Sequence, residues 1–378
     1  MKIRIEKSRL VDAMRRLQPV VGGANLQLQV VRCICIETAE EGAVMRATDL
    51  DLGLVHPCVC AVDEPGGACI NAKALAAIAS RLPDGEPVVV ETDGDQTVVI
   101  RGGTVRYRMG CLPVADFPKP HPPDPAAPRV EIAASSLRSI LARAARCVSR
   151  DPTRRSITGV CLSVRDGTAQ AVATDGVALA AAECDVASAS ATASLTETIL
   201  PARAANEAVR LLDRVDGDVG LVLEAHSAVH VDLGGGAMLR TKVLDAVYPN
   251  WRAVVPSPNG RIDVAVDADA LSAAVERVSI VCATDSCSSV ALRFAGNALT
   301  VTGGAEGSGL AKDEIAVKYD GDECGLRVSY ERLLAHLRSV SPGDVRLVFD
   351  MLPANVERTP LLLSAAGYTG VLMPVRPN

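Results

Sequence analysis

Residues 135–148 read SSLRSILARAARCV, and their spacing predicts a helix that opens at Ser135 as its cap and turns Leu137, Leu141 and Ala144 to one face. The same reading applies to SRLVDAMRRLQPVV from Ser8, with Leu10, Met14 and Leu17 on the face, and to DALSAAVERVSIVC from Asp269, with Leu271, Val275 and Val278. Ser8, Ser135 and Asp269 stand 127 and 134 residues apart, so the chain repeats itself three times. Each copy carries a second helix: NAKALAAIASRLPDG from Asn71, PARAANEAVRLLDRVDG from Pro201 and SYERLLAHLRSVSPG from Ser329. A Gly-containing turn closes each of these, and β-rich runs such as PVVVET and VRLVFD follow. Between the two helices a strand is expected to end in Ala-Thr-Asp at Ala47 to Asp49 and again at Ala173 to Asp175, with a looser Val301-Thr302-Gly303 in the third copy.

A period this long is too large for a solenoid, so the copies are read as whole domains, spanning 1–127, 128–257 and 258–378. Spacers fall where proline and small residues cluster, at Pro118 to Pro128 and at Val254 to Gly260. The first holds six prolines and cannot join a helix or a central strand. Alternating runs such as VMRATDLDLGLV and TVVIRGGTVRYRMG predict antiparallel sheets with one face on helices, which makes the class α+β. The 48% hydrophobic content is ample for several cores. With aromatic residues at only 2%, those cores must be aliphatic. No apolar run near the N-terminus is long enough for a signal peptide or a membrane span, which leads to an expectation of a cytoplasmic protein without membrane contact.

The 12 cysteines invite a metal or disulfide reading that their spacing opposes. Cys33 and Cys35, then Cys58 and Cys60, are C-x-C pairs in strand-like runs, where alternate side chains share a face, and none forms a zinc knuckle. They read as small buried hydrophobes in a reducing compartment. His56, close to the second pair, reads as an ordinary strand histidine, and no metal or cofactor is expected.

Charge is the first feature that bears on function. The six helical segments hold fifteen Arg or Lys against six Asp or Glu, a balance of +9 in a chain whose net charge is −6, which leaves −15 for everything else. Helix propensity favours Arg, but it favours Glu equally and does not explain the shortage of acid. If these helices share one side of their sheets, that side meets phosphates and the rest of the surface repels them. Arg9, Arg15, Arg16, Lys73, Arg81, Arg138, Arg143, Arg146, Arg150, Arg203, Arg210 and Arg214 are the expected contacts, with Arg154 and Arg155 beside them; Arg277, Arg332 and Arg338 complete the helical basic set. Arg143, Arg146 and Arg210 are expected on solvent faces. No aromatic platform is interleaved with these arginines, which favours duplex backbone over single strands or base readout.

The threefold repeat resembles the bacterial β sliding clamp, the processivity subunit of DNA polymerase III, over the full chain. The residues that carry the resemblance are ATDL at Ala47 to Leu50, LPVADFP at Leu112 to Pro118, ATDG at Ala173 to Gly176, KVLDAVYPNWRAVVP at Lys242 to Pro256 and VLMPVR at Val371 to Arg376. The resemblance implies three clamp domains with sheets outside and helices lining a channel, and a homodimeric ring that encircles double-stranded DNA without reading sequence. It implies that polymerase and clamp loader dock through short hydrophobic peptides in a cleft lined by Ile157, Thr174, Gly176, Leu179, Pro249, Val254, Tyr330, Val371, Leu372, Met373, Pro374 and Val375. It also implies a head-to-tail dimer contact of Tyr107 and Met109 with Val281 and Cys282.

The chain departs from the family at several places. Val177 and Ala178 stand where a basic pair is frequent, Ala253 where an arginine is frequent, and the loop Gly22 to Val31 lacks the usual Arg and Pro. These departures fit a divergent or secondary clamp. An enzyme is the rival class, since Asp49 and Asp175 recur after Ala-Thr; but equivalent places in different domains are apart, whereas an acid and a base must meet in one site. A turn role, with aspartate accepting from nearby backbone N–H groups, is the better reading. No phosphate-loop, zinc-protease, nucleophile-elbow or dinucleotide pattern is present, and Gly102-Gly103 and Gly234 to Gly236 read as hairpin turns. A protein-binding scaffold without DNA would fit the repeats but not the basic helices.

Overall fold

The computed structural model describes residues 1–23, 28–189, 195–224, 227–256, 262–282, 288–305, 309–350 and 359–375. Among them are six α-helices: α1 (Lys7–Leu17), α2 (Ala72–Arg81), α3 (Ala134–Ala145), α4 (Ala202–Leu212), α5 (Ala268–Cys282) and α6 (Tyr330–Val340). The apolar positions read from the sequence are all buried: Leu10, Met14 and Leu17, Leu137, Leu141 and Ala144, Leu271, Val275 and Val278.

The predicted caps Ser8, Ser135 and Asp269 are corrected, because each of these helices begins one residue earlier. A strand runs almost directly into each of them, ending at Ile5, Ala133 and Asp267. The Glu6 side chain precedes α1 without capping its backbone and accepts instead from Arg9 Nε at 3.1 Å, whereas Asp267 Oδ1 accepts from the Ala270 N–H at 2.6 Å. The first N–H groups of α3 and α5 donate to Gly217 and Gly343, both at 2.9 Å, so the turn closing the second helix of a copy caps its first. Asn71 behaves as expected and caps α2 through the Ala74 N–H at 3.1 Å.

The chain forms two compact units, one of Met1–Ser135, Val186–Ala193 and Glu207–Val243, the other of Ser136–Asp185, Ser194–Asn206 and Leu244–Asn378. The first unit holds a five-stranded sheet in the order Ala61–Glu64, Lys2–Ile5, Val88–Thr92, Thr97–Gly102, Val105–Gly110. Its second sheet has nine strands, in the order Ser188–Ala189, Arg129–Ala133, Asp218–Glu224, Ala228–Asp232, Met238–Lys242, Leu52–Cys58, Gly42–Thr48, Cys33–Ala39, Gly67–Asn71. The second unit holds an eight-stranded sheet, Leu195–Pro201, Gly159–Arg165, Thr168–Thr174, Ala178–Asp185, Tyr368–Leu372, Leu361–Ala365, Asp344–Phe349, Ile262–Asp267. Its four-stranded sheet runs Gly309–Ala316, Ala298–Ala305, Ser289–Ala295, Cys324–Ser329.

Pairing is antiparallel, as the alternation predicted. Each large sheet is continuous from one sequence copy to the next. Met238–Lys242 pairs with Leu52–Cys58, and Tyr368–Leu372 pairs with Ala178–Asp185, so the middle copy contributes strands to both units. The looser third-copy strand end at Val301-Thr302-Gly303 is also corrected: that strand continues to Ala305, still paired with Gly309–Ala316.

The cores are aliphatic, with Phe294 against Tyr319 and Phe349 as the main aromatic packing. The eleven cysteines among the described residues are free thiols, and Cys33 and Cys35 are buried in one strand. Cys58 ends its strand and Cys60 lies just outside it. His56 is part of the same strand, and burial followed by the Arg16 charge pushes its imidazole below the usual pKa. Among the described residues, no group of three His, Cys, Asp or Glu is placed to hold a metal. No helix among them is long and apolar enough to cross a membrane.

Candidate functional site

The repeated Ala-Thr-Asp strings build the same turn twice. In the first, Asp49 Oδ1 accepts from the N–H groups of Asp51 at 3.0 Å and Leu52 at 2.6 Å; Thr48 Oγ1 donates to the Leu52 carbonyl at 2.9 Å and accepts from the Leu50 N–H at 3.0 Å. In the second, Asp175 Oδ1 accepts from Val177 at 2.8 Å and Ala178 at 2.7 Å, while Thr174 Oγ1 donates to the Ala178 carbonyl at 2.7 Å and accepts from Gly176 at 3.0 Å. Both aspartates are committed to holding backbone, which is the turn role and leaves no acid–base pair.

Around the second turn the predicted cleft residues separate into a floor and a lip. Ile157, Leu179 and Val371 are buried in one cluster with Tyr248 and Trp251. Leu372 is fully buried, which corrects its expected place in the lining: its side chain belongs to the core. Val254, Val177 and Met373 are instead exposed by 57%, 38% and 40%, a set of large apolar side chains left in water. The Met373 N–H donates to the Val177 carbonyl at 2.9 Å and the Val375 N–H to Arg327 at 2.8 Å, so the segment after the last strand is fixed as a wall. Thr174, Tyr330, Pro374 and Val375 are half-buried, and Gly176 and Pro249 are exposed.

Gly176 has φ +90°, a conformation that favours glycine, and a Cβ there would meet the Arg154 guanidinium at 2.7 Å and displace it. Arg154 is fixed in turn by its Nη1, which donates to the Asp175 carbonyl at 2.9 Å. Beside the turn lies a cavity of about 460 Å³ lined by Arg146, Arg150, Arg154 and Arg332 together with Asp151, Asp175 and Glu331. That Val177 forms part of an apolar lip is not legible locally, because in the chain it stands only as the absence of a basic residue.

Of the expected phosphate contacts, Arg9, Arg15, Lys73, Arg81, Arg138, Arg146, Arg150, Arg154, Arg155, Arg203 and Arg214 are exposed. Arg16, Arg143 and Arg210 are half-buried. The expectation that Arg210 lies on an open solvent face is corrected. Its Nη1 and Nη2 donate to the carbonyls of Arg15 and Arg16 at 2.9 and 2.8 Å, and its Nε pairs with Glu207 at 2.7 Å. It therefore caps the negative end of α1. Arg143 reaches the Ala366 carbonyl at 3.5 Å, and Arg277, Arg332 and Arg338 pair with Asp313, Asp175 and Glu276.

At the predicted dimer contacts, Tyr107 and Met109 lie two apart on Val105–Gly110, the unpaired edge of its sheet. Cys282 is 1% exposed, and its thiol donates to the carbonyls of Val278 and Ser289, so it is core and not contact surface. Among the described residues, the large apolar side chains exposed near it are Ile280 on α5, at 71%, and Leu310, at 73%, on the edge strand Gly309–Ala316. Ile280 was detectable in the sequence, because it falls outside the helical register of Leu271, Val275 and Val278.

Three profiles match the chain in order: DNA polymerase III beta subunit, N-terminal domain, over residues 1–121; central domain, over 131–250; and C-terminal domain, over 252–365. The chain belongs to the DNA polymerase III beta subunit family. It is 28% identical over 391 residues to the beta sliding clamp of Caulobacter vibrioides, covering all of both chains. It is also 28% identical over 341 residues to the clamp of Pseudomonas aeruginosa, covering 89% of this chain and 90% of that one. The sliding clamp of Bartonella birtlesii bound to griselimycin superposes with a TM-score of 0.89 at 26% identity, and the clamp of Caulobacter crescentus with 0.85 at 28%, each covering the whole of both chains. The beta subunit is the non-catalytic processivity clamp of the polymerase, and this chain is accordingly a DNA sliding clamp with no enzymatic centre of its own.

Proposed function

We propose that two copies of the chain close head to tail into a ring around duplex DNA, each contributing three domains at 1–127, 128–257 and 258–378, in the cytoplasm. The observation that carries this reading is the segregation of charge, +8 on α1–α6 of a chain at −6, within a fold of this family. Linkage, and not tight binding, then holds the protein on DNA. Exposed arginines such as Arg146, Arg150 and Arg155 face the phosphates, and sliding is permitted because no base is read.

Polymerase and loader dock by short hydrophobic peptides over Val177, Val254 and Met373, with Ile157, Leu179 and Val371 as the floor. The ring closes where Tyr107 and Met109, on one edge strand, meet Ile280, Val281 and Leu310 beside the other. An exposed edge carrying large apolar side chains is otherwise an aggregation hazard, and a head-to-tail contact repeated by a twofold axis covers both edges. Sedimentation tests the assembly: wild type runs as two chains, and Ile280→Asp with Tyr107→Asp runs as a folded single chain. A wild-type monomer at micromolar concentration contradicts it.

A further inference from the structure

The docking turn after Thr168–Thr174 has a structural twin inside the first unit. The Lys242 N–H donates to the Asp51 carbonyl at 2.8 Å, as the Met373 N–H does to Val177 at 2.9 Å. The strand registers agree, since Thr241 pairs with Leu52 as Leu372 pairs with Ala178. Phe117-Pro118, in the spacer, stands where Tyr248-Pro249 stands one copy later. Between this turn, the paired strands Met238–Lys242 and Leu52–Cys58, and the proline-rich spacer lies a cavity of about 640 Å³. That volume is within the range of roughly 300–1,000 Å³ typical of ligand sites.

Substitution has changed the chemistry of the twin. Gly53 occupies the register position of Leu179, which deepens the cavity, and Arg240 that of Val371. The lining combines apolar groups, Leu50, Phe117 and the spacer prolines, with the cations Arg46, Lys119, Arg240 and Lys242, and contains no Asp or Glu; Arg46 and Lys242 are already paired from outside it, with Glu37 at 2.7 Å and Asp51 at 2.9 Å. Three of its polar atoms are buried without a partner: Arg46 Nε, Arg240 Nε and His230 Nδ1. His230 is fully buried, and its Nε2 faces Glu224 Oε1 at 3.1 Å, which places the proton on Nε2 and leaves Nδ1 as an acceptor. The Arg240 guanidinium, whose Nε has no partner, calls for an acceptor that carries negative charge. Leu50 holds φ +83° where the later turn has glycine at +90°, so an apolar side chain is kept at the rim in a conformation that disfavours it.

We propose that this cavity is a second docking cleft, which takes an extended peptide whose acidic and apolar side chains alternate. An extended strand sends alternate side chains to opposite sides, so that its acidic side chains meet Arg240 and Lys119 while its apolar ones meet Leu50 and Phe117. The site lies wholly within the first unit and uses none of the residues of the Met373 cleft.

The probe is a fluorescein-labelled hexapeptide of alternating Asp and Leu, followed by anisotropy, with a Lys-for-Asp counterpart as control. The full-length protein is expected to bind the acidic peptide saturably and the basic one at background. Arg240→Gln and Gly53→Leu each weaken binding by about tenfold or more, the first by removing charge and the second by filling the cavity. Leu50→Gly relieves the turn and melts no lower than wild type, yet binds more weakly, which separates loss of the lip from loss of the fold. The proposal is overturned by an absence of saturable binding, by equal binding of the basic peptide, or by binding that survives Gly53→Leu and is lost in Met373→Asp.

Discussion

Arg332 on α6 holds Asp175 at 2.8 Å, Nε to Oδ2, while the other carboxylate oxygen holds the backbone of the docking turn. One side chain thus ties a helix of the last sequence copy to a turn of the middle copy, directly beneath Val177. Burial alone would raise the Asp175 pKa, but the Ala178 and Val177 N–H groups and Arg332 outweigh it and hold the carboxyl below its ordinary value. A depressed carboxylate stabilises the fold above its unfolded pKa, and that contribution is lost as pH falls from about 3.8 through the lower folded value. Asp175→Asn is therefore expected to lower the melting temperature at neutral pH and to weaken peptide docking, with the gap from wild type narrowing under acid. Thermal melts across that window, with a peptide titration at neutral pH, check both.

His336 gives an acid response of the same sign at a higher pH. It is wholly buried, its Nδ1 lies 2.7 Å from Tyr368 Oη, and burial lowers its pKa to about 4. The unfolded chain binds this proton more readily between pH 6.5 and about 4, so stability falls as pH drops through that interval, by about 1.4 kcal/mol per pH unit for the single group. His336→Gln, compared with wild type in urea titrations from neutral to mildly acidic pH, should lose most of that slope. An unchanged slope would show that other groups carry the acid sensitivity.

The basic residues on the helices and just beyond α3 divide into arginines that face solvent and arginines that hold the fold. Reversal of Arg146, Arg150 and Arg155 to Glu leaves the melt near wild type and lowers the slope of log affinity against log salt on linear duplex by roughly one per lost phosphate contact. Arg210→Ala acts differently. By removing the cap on α1 it costs about 1–2 kcal/mol of stability while changing the salt slope little. Denaturation and filter-binding measurements on both variants distinguish the two classes.

At the docking cleft, truncation before Val371 would remove Val371 and Leu372 from a central strand paired on both sides, and the sheet would be lost with the site. The informative cut falls after Leu372. With the sheet intact, removing Met373 onward, or Val254→Asp alone, should weaken a polymerase-derived peptide by about 1–3 kcal/mol at roughly 25 cal/mol per Å² of apolar surface. The affinity should be only weakly salt-dependent, since Val177, Ala178 and Ala253 offer no charge to screen. Calorimetry at two salt concentrations reads both effects.

Much of this was legible in the chain itself. A 3.6-residue period placed Leu10, Leu137 and Leu271 inside, and the repeated Thr-Asp gave both turns, because each pattern is complete within a few residues. The helix starts were misplaced by one residue because a strand feeds almost directly into each helix, and a nearby Ser or Asp resembles a cap. The role of Arg210 is hidden for a different reason: its partners are carbonyls at Arg15 and Arg16, and nothing local to α4 indicates them. The pairing of Met238–Lys242 with Leu52–Cys58 was equally hidden, since alternation fixes which face of a strand is apolar but not which distant strand lies beside it. Cys282 and Ile280 show the limit at single-residue scale, where one position along a helix decides between core and contact.

The central claim is topological, and trapping on DNA tests it most directly. The protein is allowed to thread onto linear duplex over its free ends, the ends are ligated, and the sample is filtered at salt high enough to strip proteins held by charge alone. The account predicts that the clamp co-elutes with the ligated circle and is released when one restriction cut reopens it. Release from the closed circle at the same rate as from the cut one would contradict it.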